Sequence, residues 1–132
     1  MNPLIQLLHC RYQDVLEDVL HVMRHCTQRH LVATVCPAAR CLPKVKVMLA
    51  RGARARLQMS VLERRVSNLE TRRQRAVTEG RLTTASLLQN QEAVVRGVQH
   101  VYSVYCLNKL SLVDQMLQEI SDTVNVVLQQ MA

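Results

Sequence analysis

The chain has no phenylalanine and no tryptophan, and Tyr12, Tyr102 and Tyr105 are its only aromatic residues. A core without large rings must be filled by Leu, Val and Met, which suits elongated helix seams better than a compact α/β enzyme. Glycine and proline are also scarce, at three each. No Gly-rich loop followed by lysine is present to cradle a nucleotide phosphate, and no Gly/Pro-rich linker divides the chain. Long apolar runs are missing too: nothing approaches the roughly 20 uncharged apolar residues of a membrane span. The opening Met1-Asn2-Pro3-Leu4-Ile5 lacks the basic start and long apolar stretch of a secretory signal. Asparagine at position 2 excludes N-myristoylation. With no signal, an odd set of five cysteines (Cys10, Cys26, Cys36, Cys41 and Cys106) reads as reduced thiols in a cytosolic protein.

Acidic residues are the last scarcity, 10 against 17 Lys and Arg. The imbalance is local. Residues 40–81 hold 12 basic and 3 acidic side chains, a balance of +9, and the remainder is −2. Such asymmetry predicts an anionic partner or head-to-tail contacts between copies, set against the plain alternative of a solvated face.

What the chain does have is a helix-period seam. Val45, Met48, Gly52, Ala55, Met59, Leu62, Val66, Leu69, Arg73 and Ala76 alternate spacings of three and four with one lapse, at Arg73. Gly52 lies on the seam, where a missing side chain lets helices approach closely. The other faces carry Lys44, Lys46, Arg51, Arg54, Arg56, Arg64, Arg65, Arg72 and Arg75, opposed only by Glu63 and Glu70.

Residues 1–132 are expected to form a single all-α domain of four helices, with no strand pattern competing. A first helix is predicted over 3–34, with Pro3 at its start and Leu4, Leu8, Tyr12, Val15, Val19, Val22, Cys26 and Ala33 on one stripe. Pro37 and Pro43 predict a turn over 35–43. The second helix, 44–80, then folds back on the first as a long antiparallel hairpin, and Gly80 closes it. Thr83 or Thr84 is expected to cap a shorter third helix, 84–107, carrying Leu87 or Leu88, Val94, Val95, Val98, Val101 and Tyr105. A break over 108–111 leads to a shorter fourth helix, 111–131, capped by Ser111 with Asp114 at its third position. Its seam is Val113, Leu117, Ile120, Val124, Val127 and Met131.

Catalytic and metal constellations are weak. Cysteines, serines and histidines occur, but without a Gly-flanked elbow or strand-borne nucleophile, and the reading is non-enzymatic, with no cofactor and no small-molecule substrate. His21 and His25, with Cys26, His30, Cys36 and Cys41 nearby, lack the spacings of a zinc finger and read as helix-surface histidines and small cysteines. Nucleic acid would suit the basic helix through its phosphates, yet the basic region holds no aromatic platform. An anionic membrane surface needs only the charge. Electrostatics alone do not choose between these two.

The order of the pieces adds a resemblance. LERRVSNLE at 62–70 resembles the second-helix signature of the ESCRT-III family, the charged multivesicular body proteins, and KVKVMLARGARARLQ at 44–58 is similar to that family's basic approach to it. LLQNQEAVVRGVQHVYSVYCLNKLSLVDQMLQEISD at 87–122 resembles the family's third helix, linker and fourth helix, with Ser111, Val113, Asp114, Met116, Leu117, Glu119 and Ile120 at matching positions. The resemblance covers about residues 44–125. It implies a subunit that binds the cytosolic face of endosomal or other anionic membranes, polymerises with like subunits and drives budding, sorting or scission. Lys44, Lys46, Arg51, Arg54 and Arg56 would face lipid or a neighbouring subunit, and the last helix, with Asp114, Glu119 and Asp122, could meet a neighbour's basic helix. Family members are disassembled by an AAA ATPase that engages a motif near their C-terminus. This sequence stops after the fourth-helix match, so recruitment is expected through partner subunits. Its first helix, with Arg11, Arg24 and Arg29, is less basic than the family's. The rival readings are a coiled-coil adaptor docking on an acidic protein and, behind it, a nucleic-acid-binding helical protein.

Overall fold

A computed structural model describes residues 2–131, and among them every regular element is helical. The order is α1 (Pro3–His25), α2 (Arg29–Thr78) and α3 (Leu82–Met131). The all-α class stands, but three helices replace the four expected. The first helix ends at His25, not at residue 34. Residues 35–43 lie inside α2, so Pro37 and Pro43 do not make a turn. The expected third and fourth helices are one 50-residue helix, α3, with no break at 108–111. Thr83, Thr84 and Ser111 are therefore interior residues rather than caps.

Local chemistry explains the ends. Asn2 caps α1, its Oδ1 accepting the Leu4 amide at 2.9 Å and the Ile5 amide at 3.4 Å, and Pro3 follows where no amide is needed. The α1–α2 connection is Cys26-Thr27-Gln28, with Cys26 extended and its amide still donating to the Val22 carbonyl. Neither glycine nor proline marks it, which is why the sequence hides this break. Gly80, by contrast, adopts φ 74° and closes α2. The Gly80 amide donates to Val77 O at 3.1 Å and the Arg81 amide to Ala76 O at 2.8 Å, the paired bonds of a Schellman cap.

The chain divides into two compact units. One draws on the chain up to Gly52 and from Asn108 onward, and is a three-helix bundle of α1, the first part of α2 and the last part of α3. Its core is aliphatic: Ile5, Leu8, Val15, Val19 and Val22 from α1, Leu31, Val35, Leu42, Val45 and Leu49 from α2, and Leu110, Val113, Leu117, Ile120, Val124 and Val127 from α3. Tyr12 is buried among them. Ile5 takes the first position of the α1 stripe, leaving Leu4 46% exposed, and Ala33 is exposed as well. This bundle carries α2 through its prolines. An interior proline deletes one helix hydrogen bond and costs roughly 3 kcal/mol, while each buried Val or Leu contributes about 1.5–3 kcal/mol. Val35 and Val45 are fully buried and Leu42 is 3% exposed, whereas both proline rings face solvent. Packing outweighs the local penalty.

The second unit, Ala53–Leu107, pairs the rest of α2 with the start of α3. Val66, Leu69 and Ala76 pack with Ala85, Leu88 and Val95 in one cluster, edged by Leu62. The pairing is antiparallel: Arg73 reaches Glu92, while Glu70, one turn earlier, reaches Arg96, one turn later. The inward stripe of α3 differs from the one expected. Leu88 and Val95 are buried, but Val94 is 67%, Val101 66%, Val98 43% and Tyr105 40% exposed. The helix turns Glu92 and Cys106 inward instead, at 5% and 4% exposure, because the carboxylate of Glu92 has Arg73 to meet.

Candidate functional site

The basic residues of α2 follow from its seam. Burial of Val45, Met48, Gly52, Ala55, Val66 and Leu69, with Met59 and Leu62 half-buried, fixes which faces turn outward. Positions immediately before the seam recur every seven residues and hold Lys44, Arg51, Arg65 and Arg72, with Gln58 between. On a helix that spacing keeps one flank.

In the first unit, Lys44, Lys46 and Arg51 are exposed. Lys44 and Arg51 share a shallow groove of about 320 Å³ with Lys109 of α3, floored by Val47, Met48, Leu112 and Met116. Two features make the groove possible. Gly52 and Leu110 are in close approach: a Cβ on Gly52 would lie 2.8 Å from Leu110 Cδ2. The helices therefore meet tightly beneath the groove. Met116 is half-buried beside the lysines rather than in the core.

In the second unit, Arg54 is exposed and Arg56 half-buried. Arg56 differs from the others: its charge acts on the thiol of Cys106, so it faces protein in part. Burial pushes the Cys106 thiol up from its ordinary value of 9.0, and the Arg56 guanidinium opposes that push without cancelling it. Arg64, Arg65, Arg72 and Arg75 are exposed on the same helix.

Ion pairs decide which cations are spoken for. Arg11 pairs with Asp114, Arg73 with Glu92, Arg81 with Glu79 and Arg96 with Glu70. Among the described residues, Lys44, Lys46, Arg51 and Arg54 have no carboxylate partner. Lys44, Lys46 and Arg51 belong to the first unit and Arg54 to the second, and all four are exposed.

The family-like positions near the end of α3 divide by role. Val113 and Leu117 are fully buried and Ile120 is 5% exposed, all in the core of the first unit. Asp114 is exposed and ties α3 to α1 through Arg11, a contact that sequence spacing gave no means of finding. Glu119 is exposed and accepts from Gln115 Nε2 at 3.5 Å, and Asp122 accepts from Gln118 Nε2 at 2.9 Å.

The histidine–cysteine region assembles no site. The His21 and His25 ring centroids are 4.8 Å apart, but among the described residues no three His, Cys, Asp or Glu side chains gather as a metal ion would require. None of the five cysteines is in a disulfide, with Cys10 exposed and Cys106 buried. A shallow recess of about 250 Å³ lined by Thr34, Pro37, Ala38, Cys41, Glu119, Ile120 and Thr123 offers a thiol and a carboxylate without a histidine. Among the described residues, no helix is long and apolar enough to cross a membrane.

No protein-family model matches the chain, and neither a curated protein nor a solved structure does.

Proposed function

We propose that this chain is an ESCRT-III-like membrane-remodelling subunit, which adsorbs to anionic, cytosol-facing membranes through the basic face of α2 and assembles with like subunits into filaments. The observation that carries the reading is the set of exposed cations at Lys44, Lys46, Arg51 and Arg54 with no acidic partner. Near an anionic leaflet each such charge contributes about 1 kcal/mol, falling off within a Debye length, so several acting together suffice for reversible adsorption. The groove between α2 and α3 adds an apolar floor beneath Lys44, Arg51 and Lys109, which suits a surface that is charged outside and apolar within.

The sequence resemblance supplies the class of the reading. In the first unit α1 packs with α2 and α3, and in the second α2 and α3 pair antiparallel. The subunit has no catalytic role of its own. Any AAA ATPase acts through partner subunits.

Co-sedimentation with liposomes, neutral against phosphatidylserine-rich, with the pellets viewed by electron microscopy, tests the reading. Pelleting and filaments or tubes only with anionic lipid are expected. A chain that ignores lipid and stays a small soluble oligomer overturns the proposal in favour of a coiled-coil adaptor for an acidic protein. Tight binding to nucleic acid with a steep salt slope overturns it in another direction.

A further inference from the structure

The groove of about 320 Å³ between α2 and α3 lies wholly within the first unit. Its floor is open to solvent at Val47 and Leu112, 49% and 45% exposed, while Met48 is buried and Met116 half-buried.

One end of the groove is doubly charged. Lys109 lies level with Gly52, since a Cβ on that glycine would be 3.6 Å from Lys109 Cβ. Arg51 precedes Gly52 and lines the same groove, so two helices each bring a cation to this end. Lys44 stands seven residues before Arg51, about 10 Å away along the same face of α2. Val47 and Met48 fall between them.

No carboxylate lines this groove. The recess beside Arg73 and Arg96 is the contrast: it also holds Glu92 and Glu70, and each cation there is answered from within. The recess at Cys41 has Glu119 and no cation. Of the three, the groove at Arg51 alone sets positive charge, unopposed in its lining, against an apolar floor.

Charge and size together select the occupant. A guanidinium grips phosphate through two parallel N–H bonds, and an ammonium adds a point charge. A terminal phosphate monoester, close to doubly charged at neutral pH, draws on both. Free phosphate would leave the apolar floor uncovered, so an apolar body must come with it, and the two methionines adapt their shape to one. The volume lies at the small end of the range for small ligands and below the roughly 500 Å³ of a single helical turn. It suits a lipid head better than a docked helix.

We propose that the groove is a head-group site for a lipid ending in a phosphate monoester, of the phosphatidic acid class. The phosphate sits at the end formed by Arg51 and Lys109, and the glycerol and first chain carbons lie on Val47, Met48, Leu112 and Met116. The assignment rests on the membrane reading above and deepens it. The cations of α2 supply general attraction to an anionic surface, and the groove selects one lipid within that surface.

The test is isothermal titration calorimetry of the full chain with dihexanoyl phosphatidic acid, kept below its critical micelle concentration so that no membrane is present. A Kd of about 100 µM is expected. Dihexanoyl phosphatidylcholine, with the same chains, and inorganic phosphate, with none, should each bind at least tenfold more weakly. Arg51→Gln and Leu112→Gln, both at exposed positions, should each weaken binding about tenfold with unchanged helicity. Lys44→Gln, at the far end, should cost less. No binding up to about 1 mM overturns the proposal and leaves the groove to an acidic protein partner. Equal binding of inorganic phosphate or of phosphatidylcholine overturns it too, as does indifference to either Arg51→Gln or Leu112→Gln. Liposomes of matched surface charge, phosphatidic acid against phosphatidylserine, separate the two ideas. Solution binding without adsorption to either fails the membrane reading and keeps the site. Equal adsorption to both, with or without solution binding, fails the groove's selectivity alone.

Discussion

Arg73 Nε donates to Glu92 Oε2 at 2.5 Å, and Glu92 is only 5% exposed. The two residues occupy matching lapses in facing seams, one on α2 and one on α3, so a charge that interrupts the apolar rhythm of one helix is answered by a charge on the other. The pair sits beside a second, Glu70 with Arg96, of reversed polarity. Together they oblige these helix segments to pair in one register and direction, because a shift by one turn sets like charges opposite one another.

Breaking that pair from one side should be costly. Arg73→Met leaves a buried carboxylate unpaired, and a loss of about 2–3 kcal/mol is expected in urea unfolding, somewhat below the range for fully buried pairs because Arg73 is part-exposed. Glu92→Gln should cost less, since the amide still accepts from the guanidinium. The double substitution Arg73→Leu with Glu92→Leu should recover most of the loss. A double variant as unstable as the single one would show that register, not desolvation, is what the pair supplies.

Much of this was legible in the sequence. The seam from Val45 to Ala76 reads directly, and the lapse at Arg73 is visible as a lapse, although its answer at Glu92 is a long-range fact. Gly80 marks its helix end because only its backbone geometry permits the cap. The prolines misled because a local penalty is plain in sequence while the packing that offsets it, Val35, Leu42 and Val45 against two other helices, is not. The break at 26–28 escaped for the opposite reason: Cys26, Thr27 and Gln28 carry no local signal. Across 108–111 the alternation Cys106, Leu110, Val113, Leu117 continues unbroken, and that rhythm was the better guide than Asn108 and Ser111. On α3 the expected stripe of Leu87 or Leu88, Val94, Val95, Val98, Val101 and Tyr105 mixed two faces, and the pairing of Glu92 with Arg73 turns Leu88 and Val95 inward and leaves Val94, Val98 and Val101 outside.

Gly52 should resist substitution. An alanine Cβ would lie 2.8 Å from Leu110 Cδ2 and 3.2 Å from its Cγ, and Leu110 is buried with little room to turn. Gly52→Ala is expected to lower stability by about 1–2 kcal/mol despite the gain in helix propensity. Pairing it with Leu110→Ala should cost less than the sum of the two single substitutions, which a double-mutant cycle reads directly.

The lipid-facing charges make a sharper test when Arg56 is left alone, because that residue is half-buried near Cys106. Lys44→Glu, Arg51→Glu and Arg54→Glu combined should reduce liposome affinity by at least roughly a hundredfold, given about 1 kcal/mol per cation and added repulsion. Helicity should be unchanged. Wild-type binding should weaken as salt rises. Binding that survives the triple reversal would remove α2 from the membrane contact.

Cys106 supplies the pH prediction. Its folded thiol titrates above 9.0, chiefly through burial, so the folded state holds its proton where the unfolded chain has begun to release it. The stabilisation is complete below the unfolded value and is lost as pH rises through the folded one. Unfolding free energy should fall above pH 9, and Cys106→Ala should flatten that decline while costing some stability at neutral pH. Alkylation with iodoacetamide, followed by peptide mapping, should label exposed Cys10 first and Cys106 last.

Pro43 distinguishes a helix from a turn by the sign of one measurement. In a turn, proline restrains the unfolded chain and its removal destabilises. Within α2 it deletes an amide that would otherwise reach the Ala39 carbonyl, and its ring faces solvent rather than the core. Pro43→Ala therefore restores a helix hydrogen bond and removes no buried contact. A gain of about 1–3 kcal/mol is expected in the unfolding of the first unit, with higher helicity by circular dichroism. Pro37→Ala should act in the same direction, since it too is exposed. Loss of stability in both variants would return 35–43 to a turn and with it the hairpin of the first two helices.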